Sequence, residues 1–446
     1  MSTSTTKKEK GGWNFSKAFW TANMVELLER GAYYAVFIAI TIYLSDVVGF
    51  SDIEAGYVAG IFSAGLYFLP TFSGAYADKI GFRPSVILAF SLLAVGYFTL
   101  GFLPYKATVI GGLALVMLGG SFIKSIITGT VARETDAGNR ARGYAIFYAL
   151  VNVGAFLGKT IAYPVRINLG VLYINYYASA LAALALIVTL LFYKSNREKG
   201  TGKNIKEIWE ALLALLKRGR LVILIILITG FWMIQHQLYA SMPKYIIRTI
   251  GPHAAPEWYA NVNPLIVVIS VMFITEIMRK KKAITSMIIG MFIMPVSAFA
   301  MSMGPWLAGI KGNSMDLGLM NLHPIAVMMI VGIIFQAIAE TFITPRYLEY
   351  FSLQAPKDEE GMYLGFSHLH SFLASLFGFI SSGYLLDKYV PNPKTLNQEQ
   401  LIHAYDHAHY IWYVYAIIGL TAAVLLVIFA KVTEAIDKKK ELKKVA

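Results

Sequence analysis

Glu26, Glu29, Arg30, Tyr33 and Tyr34 fall within residues 18–43, a run otherwise almost wholly apolar and long enough to cross a bilayer. A helix turns about 100° per residue, so offsets of three, four, seven and eight share one face. The spacing therefore predicts one polar stripe of two carboxylates, a guanidinium and two phenols, roughly a third to halfway across the membrane. Such groups can exchange protons and hold a charged solute. Charge at that depth is costly unless it faces a wet cavity or another charge. The plainer alternative is an ion-pair cluster that stitches helices together.

The elements that must carry this stripe follow from the rest of the chain. Of 446 residues, 57% are hydrophobic and only 15% charged, and the mean hydropathy is positive. That apolar load points to an all-α polytopic membrane protein. Apolar runs lie at 16–45, 53–77, 84–104, 107–130, 142–164 and 170–193. After a polar linker they resume at 219–248, 260–278, 283–303, 324–350, 362–387 and 408–432. This gives twelve transmembrane helices in two six-helix halves: 1–193, a cytoplasmic linker 194–218, and 219–446. Within the linker, residues 205–216 (IKEIWEALLALL) have helical apolar spacing and are expected to lie on the membrane surface.

The formal charge of +13 resides mainly in alternate joins and at the termini. That is the positive-inside pattern rather than a nucleic-acid footprint, and it places both termini in the cytoplasm of a cell-membrane protein. The segment 1–12 is polar and basic without an apolar core, so it reads as a tail rather than a signal peptide. Cysteine is absent, which excludes disulfides and thiolate ligands. No GxxxxGK[ST] loop is present to drive transport with ATP, and no nucleophile–base set suggests an enzyme.

Two six-helix halves joined by a cytoplasmic linker suggest the major facilitator architecture, with a substrate site between the halves at mid-membrane. Gly74-Ala-Tyr-Ala-Asp78-Lys79-Ile-Gly81-Phe-Arg83-Pro resembles that superfamily's signature loop between helices two and three. Its glycines allow close packing and a tight turn, and Asp78 with Arg83 is expected to form a cytoplasmic charge latch.

A narrower resemblance rests on six segments in order. Glu26-x-x-Glu29-Arg30-x-x-Tyr33-Tyr34 resembles the ExxERFxYY signature of the proton-coupled oligopeptide transporter family. Phe122-Ile-Lys124-Ser resembles its IKP segment, and Phe147-Tyr148-Ala-Leu-Val-Asn152-Val-Gly154 its FYxxINxG. Phe231-Trp232-Met-Ile-Gln235-His236-Gln237 is similar to its FW…Q segment. Asn263-Pro264-Leu265 opens helix eight as in the family. Glu340 to Pro356 resembles the ExxxSP…QAP stretch of helix ten.

The residue chemistry suits a zwitterionic peptide. Arg30 can grip its carboxylate in a bidentate fork and Lys124 as a movable point charge. Glu340 can hold the ammonium or, with no substrate present, pair with Lys124; the resemblance implies that such a pair closes the cytoplasmic side. Asn152 and Asn263 offer amides to peptide backbone, and Tyr34, Tyr67 and Trp232 offer aromatic walls with polar tips, although ordinary helix packing explains aromatics equally well. A carboxylate beside an arginine changes its proton affinity as water enters or leaves. Glu26, Glu29 and Arg30 thus form a candidate proton switch, the role the resemblance also assigns to them.

The sequence departs from the family at several points. Phe37 and Gln235-His236 stand where the family commonly has an arginine on helix one paired with an acid on helix seven. Proton coupling would then rest on Glu26 and Glu29, or His236 would titrate in the acid's place. Ser125 replaces the IKP proline, Gly31 stands where phenylalanine is usual, and the linker is too short for the two extra helices of many bacterial members. His368 and His370 lie two residues apart, so at most one faces the centre. His403, Asp406, His407 and His409 lie within one or two turns, but an exposed polar helix start explains them better than a metal site.

The reading is a monomeric symporter that imports di- and tripeptides by alternating access, driven by the proton gradient and using no cofactor. The alternatives are a major facilitator carrier of another small solute, such as nitrate or a modified amino acid, and a non-transporting receptor on the same fold. Export of amphipathic cations is disfavoured by the cations in the core.

Overall fold

The computed structural model describes residues 15–136, 139–194, 204–318, 320–354 and 365–445. The tail 1–12, most of the linker before residue 204, and Ala355-Pro356 of the helix-ten motif lie outside these. In chain order the helices are α1 (Lys17–Ile42), α2 (Asp52–Phe68), α3 (Pro70–Ile80), α4 (Phe82–Phe102), α5 (Lys106–Glu134), α6 (Arg140–Asn168), α7 (Leu172–Phe192) and α8 (Ile205–Leu216). They continue as α9 (Gly219–Ala240), α10 (Met242–Thr249), α11 (Pro256–Tyr259), α12 (Val262–Met278), α13 (Ala283–Ser302), α14 (Gly304–Lys311), α15 (Pro324–Gln354), α16 (Leu369–Tyr389), α17 (Gln398–His403) and α18 (Tyr410–Val445). A single two-stranded pairing, Met315–Asp316 with Asn321–Leu322, is the strand content of the described residues.

Among the described residues, eleven helices are long and apolar enough to cross a membrane, or twelve if α2 and α3 form one span bent by 49°. The bend falls at Leu69-Pro70, where proline cannot donate to the preceding turn. The helix expected within the linker has the predicted bounds, Ile205–Leu216. The expected span 219–248 is instead broken at Ser241, because Pro243 is tolerated only in the first turn of a new helix. The last helix runs beyond the expected 432 to Val445.

The described residues pack as two compact units. One is drawn from Met1–Phe37 and Leu69–Ile208, the other from Ile38–Phe68 and Trp209–Ala446. In the first unit, α1 and α6 cross backbone to backbone. A Cβ on Gly154 would lie 2.6 Å from the Leu27 carbonyl oxygen, and one on Gly158 would overlap the Gly31 carbonyl. Small residues are what allow membrane helices to approach so closely. Gly31 lies at this crossing, where a side chain would grow toward Leu181, whose Cδ1 is 3.3 Å from a Cβ built there. Ser125 also has a role here, since its hydroxyl donates to the Pro70 carbonyl at 2.6 Å, beside the bend.

In the second unit, α2 packs along α16 through small residues. A Cβ on Gly56 would come within 2.6 Å of the Phe379 carbonyl, and one on Gly383 within 2.7 Å of the Asp52 carbonyl. The Ser63 hydroxyl donates to that of Ser375 across the same seam.

Candidate functional site

In the first unit the helical offsets work as anticipated. Arg30 Nε lies 3.1 Å from Glu26 Oε1 and 2.5 Å from Glu29 Oε2, and the two carboxylates are 4% and 2% exposed. One guanidinium therefore serves two buried acids. The arginine also lies 5.4 Å from the Tyr33 ring centroid, and Tyr33 meets Tyr34 edge-on at 5.1 Å. Phe37, at the position of the missing arginine, stacks on Tyr33 at 5.0 Å. Lys124 on α5 is within electrostatic reach of Glu26, Glu29 and Arg30. Asn152 on α6 donates to the Tyr148 carbonyl one turn back, at 2.8 Å.

Asp78 and Arg83 do not pair with each other. Asp78 Oδ1 accepts from Arg133 Nη2 at 2.7 Å, while Arg83 donates to the Leu190 carbonyl at 3.1 Å. The reason is the turn between them. Gly81 has φ +96°, which starts α4 in a new direction and turns Arg83 toward the end of α7. The end of α5 brings Arg133 to Asp78, with its guanidinium 3.8 Å from the Phe82 ring.

In the second unit, Glu340 on α15 accepts from two amides. Gln235 Nε2 donates to its Oε2 at 3.0 Å, and Asn263 Nδ2 reaches the same oxygen at 3.4 Å. Beside them Tyr67, Trp232 and His236 come together, with ring centroids 5.9 Å apart for Tyr67–His236 and 6.2 Å for Trp232–His236. His236 Nε2 lies 3.2 Å from the Ser375 hydroxyl, which extends the Ser63–Ser375 link. The offset rule separates the other two histidines. His370 is buried against Trp232 at 5.3 Å and Tyr347 at 4.9 Å, whereas His368 is exposed. His370 Nδ1 donates to the Ser367 carbonyl and its Nε2 accepts from Ser371.

The histidines at and before the start of α18 are engaged separately. His403 contacts Asp406 at 2.9 Å, and His407 stacks on Tyr410. Among the described residues no group of three or more His, Cys, Asp or Glu side chains could hold a metal ion.

Three features escaped sequence reasoning. Gln235 looked like a lost acid but serves as the amide partner of Glu340. Asp52 at the start of α2 is gripped by Lys244 at 2.5 Å and Arg248 at 2.6 Å, all three side chains at most 5% exposed. Nothing in the sequence pairs residues so far apart. Lys159 on α6 is 1% exposed and lies 5.7 Å from the Tyr34 ring centroid. Its signal was available, as a lone cation within an apolar span.

These geometries can be set beside known proteins. The multidrug resistance protein MdtH of Photorhabdus laumondii is 22% identical over 389 residues, covering 87% of this chain and 88% of that protein. A crystal structure of the peptide transporter POT in complex with sulfate superposes with a TM-score of 0.75 at 18% identity, covering 96% of each chain. The POT family transporter PepTSo superposes with a TM-score of 0.72 at 18% identity, covering 95% of this chain and 99% of that one. At this identity the structural likeness is one of fold. The family model of the Major Facilitator Superfamily matches residues 24–316 and 314–445. Matched over nearly its whole length, the chain belongs to the Major Facilitator Superfamily.

Proposed function

We propose that this transporter is a proton-coupled symporter of short peptides within the oligopeptide branch of the superfamily. The observation that carries the reading is Arg30 shared between Glu26 and Glu29 in the core of α1. Protonating either carboxylate weakens its hold on the guanidinium, which is then free to take a peptide carboxylate. Lys124 assists with that carboxylate, and Glu340, presented by Gln235 and Asn263, receives the ammonium. Tyr34, Tyr67 and Trp232 line the path of varied side chains, and Asn152 and Asn263 serve the peptide backbone. Asp78, held by Arg133, acts in conformational switching at the cytoplasmic side. The overlay on POT structures supports this reading.

The name of the MdtH relatives, multidrug resistance protein, favours a second reading, which for this chain would be export of drugs. Three cations within the spans of the first unit, Arg30, Lys124 and Lys159, oppose it for cationic drugs. The two readings separate in proteoliposomes under an imposed proton gradient, inside alkaline. Accumulation of a labelled dipeptide supports symport. No gradient-driven uptake of any di- or tripeptide, with extrusion of a dye such as ethidium, replaces it with export.

A further inference from the structure

Lys159 has no part in the mechanism above, although a cation buried within a membrane span is costly to keep. Its placement is specific. Gly154 and Gly158 press α6 against α1, so the next residue, Lys159, is held beside Tyr34, one turn beyond Arg30. Its ammonium lies 5.7 Å from the Tyr34 ring centroid. On α6 it is seven residues from Asn152 and thus on the same face.

The charges of the first unit are unequal. In the middle of its spans the acids are Glu26 and Glu29, and the cations are Arg30, Lys124 and Lys159. Both acids engage Arg30. In a low-dielectric setting the excess positive charge favours an anion, and protonating either glutamate increases that excess. A neutral dipeptide supplies one carboxylate. A dipeptide with an acidic side chain supplies two.

Building on the peptide reading, we propose that Lys159 and Tyr34 form an anion subsite that selects peptides carrying an acidic side chain. Tyr34 provides the wall, with its phenol as a hydrogen-bonding tip. Lys159 provides a point charge on a flexible four-carbon stem that can swing from the ring to a carboxylate.

The test compares Ala-Asp with its near-isostere Ala-Asn in proteoliposomes. In the wild-type protein, Ala-Asp is expected to compete for uptake at a lower concentration than Ala-Asn. Lys159→Met should raise the KM for Ala-Asp about tenfold or more, the effect of losing one charge-assisted hydrogen bond, and leave that for Ala-Asn within about twofold. Lys159→Arg should restore the preference. A wild-type protein that does not distinguish the two peptides overturns the proposal even if Lys159→Met fails to fold. So does a KM ratio that Lys159→Met leaves unchanged. Absence of uptake for every dipeptide instead overturns the peptide reading on which the subsite rests.

Discussion

Gln235 Nε2 donates to Glu340 Oε2 at 3.0 Å, joining α9 to α15 through a neutral amide and a half-buried carboxylate. An acid at position 235 would repel Glu340; an amide holds it without cancelling its charge. If Glu340 receives the peptide ammonium, this presentation matters for binding. A hydrogen bond to a charged group contributes about 1.5–3 kcal/mol, so Gln235→Leu should raise the KM for dipeptides about tenfold or more. Michaelis curves from counterflow, which needs no gradient, measure this directly. An unchanged KM removes Gln235 from the site.

The shared Arg30 makes a different prediction for the two sides of coupling. Glu29→Gln keeps the shape of the side chain but fixes it in a neutral form, so it can no longer release a proton. Concentrative uptake should be abolished while peptide counterflow persists. Counterflow and gradient-driven uptake measured on the same vesicles separate these outcomes. Persistence of both would exclude Glu29 as the coupling carboxylate.

His236 was a candidate for the same task, and its surroundings give the means to decide. It sits in a hydrogen-bonded line from Ser63 through Ser375, between Tyr67 and Trp232. His236→Gln preserves a polar side chain able to meet Ser375 but cannot titrate. If His236 carries the coupling proton, this variant changes the pH profile of uptake. An unchanged profile assigns the histidine to packing.

The contrast between Arg30 and Asp52 shows what was legible in the sequence. Glu26, Glu29 and Arg30 lie on one helix, where a fixed angle per residue converts spacing into contact. The spans were legible because a bilayer demands about 20 apolar residues, and the linker helix because its apolar spacing is helical. Glu340 could be singled out as an acid within an apolar run, but its partners Gln235 and Asn263 come from other helices. The breaks at Leu69-Pro70 and Ser241-Met242 required knowing which prolines interrupt a span. The Asp78–Arg133 pair arose because Gly81 redirects the chain, which residue types alone did not reveal. Asp52 with Lys244 and Arg248 depends on packing between segments nearly 200 positions apart.

That buried triad yields a stability prediction. Asp52 is the carboxylate shared by Lys244 and Arg248, and Arg248 also donates to the Val390 carbonyl at 2.6 Å. Removing the acid leaves two cations in a dry setting. Breaking a buried pair in this way costs about 3–5 kcal/mol. Asp52→Asn should therefore melt well below the wild-type protein in detergent, and adding Lys244→Met should recover part of the loss. A double variant no more stable than Asp52→Asn would show that charge imbalance is not the cause.

The crossing of α1 and α6 makes the last prediction, and it concerns the frame that holds Arg30 and Lys159 in place. A Cβ on Gly158 would overlap the Gly31 carbonyl, which is backbone and cannot swing aside. Overpacking of this kind costs about 1–3 kcal/mol, and larger side chains cost more. Gly158→Ala should lower the melting temperature and Gly158→Leu should prevent folding. Gly111 on α5 is the control, because a Cβ there meets nothing within 4 Å. Gly111→Ala should be neutral or stabilising, by up to about 1 kcal/mol, since alanine is the better helix former. If both alanine variants melt alike, the helices have room to part, and the close crossing does not fix the position of the charged groups.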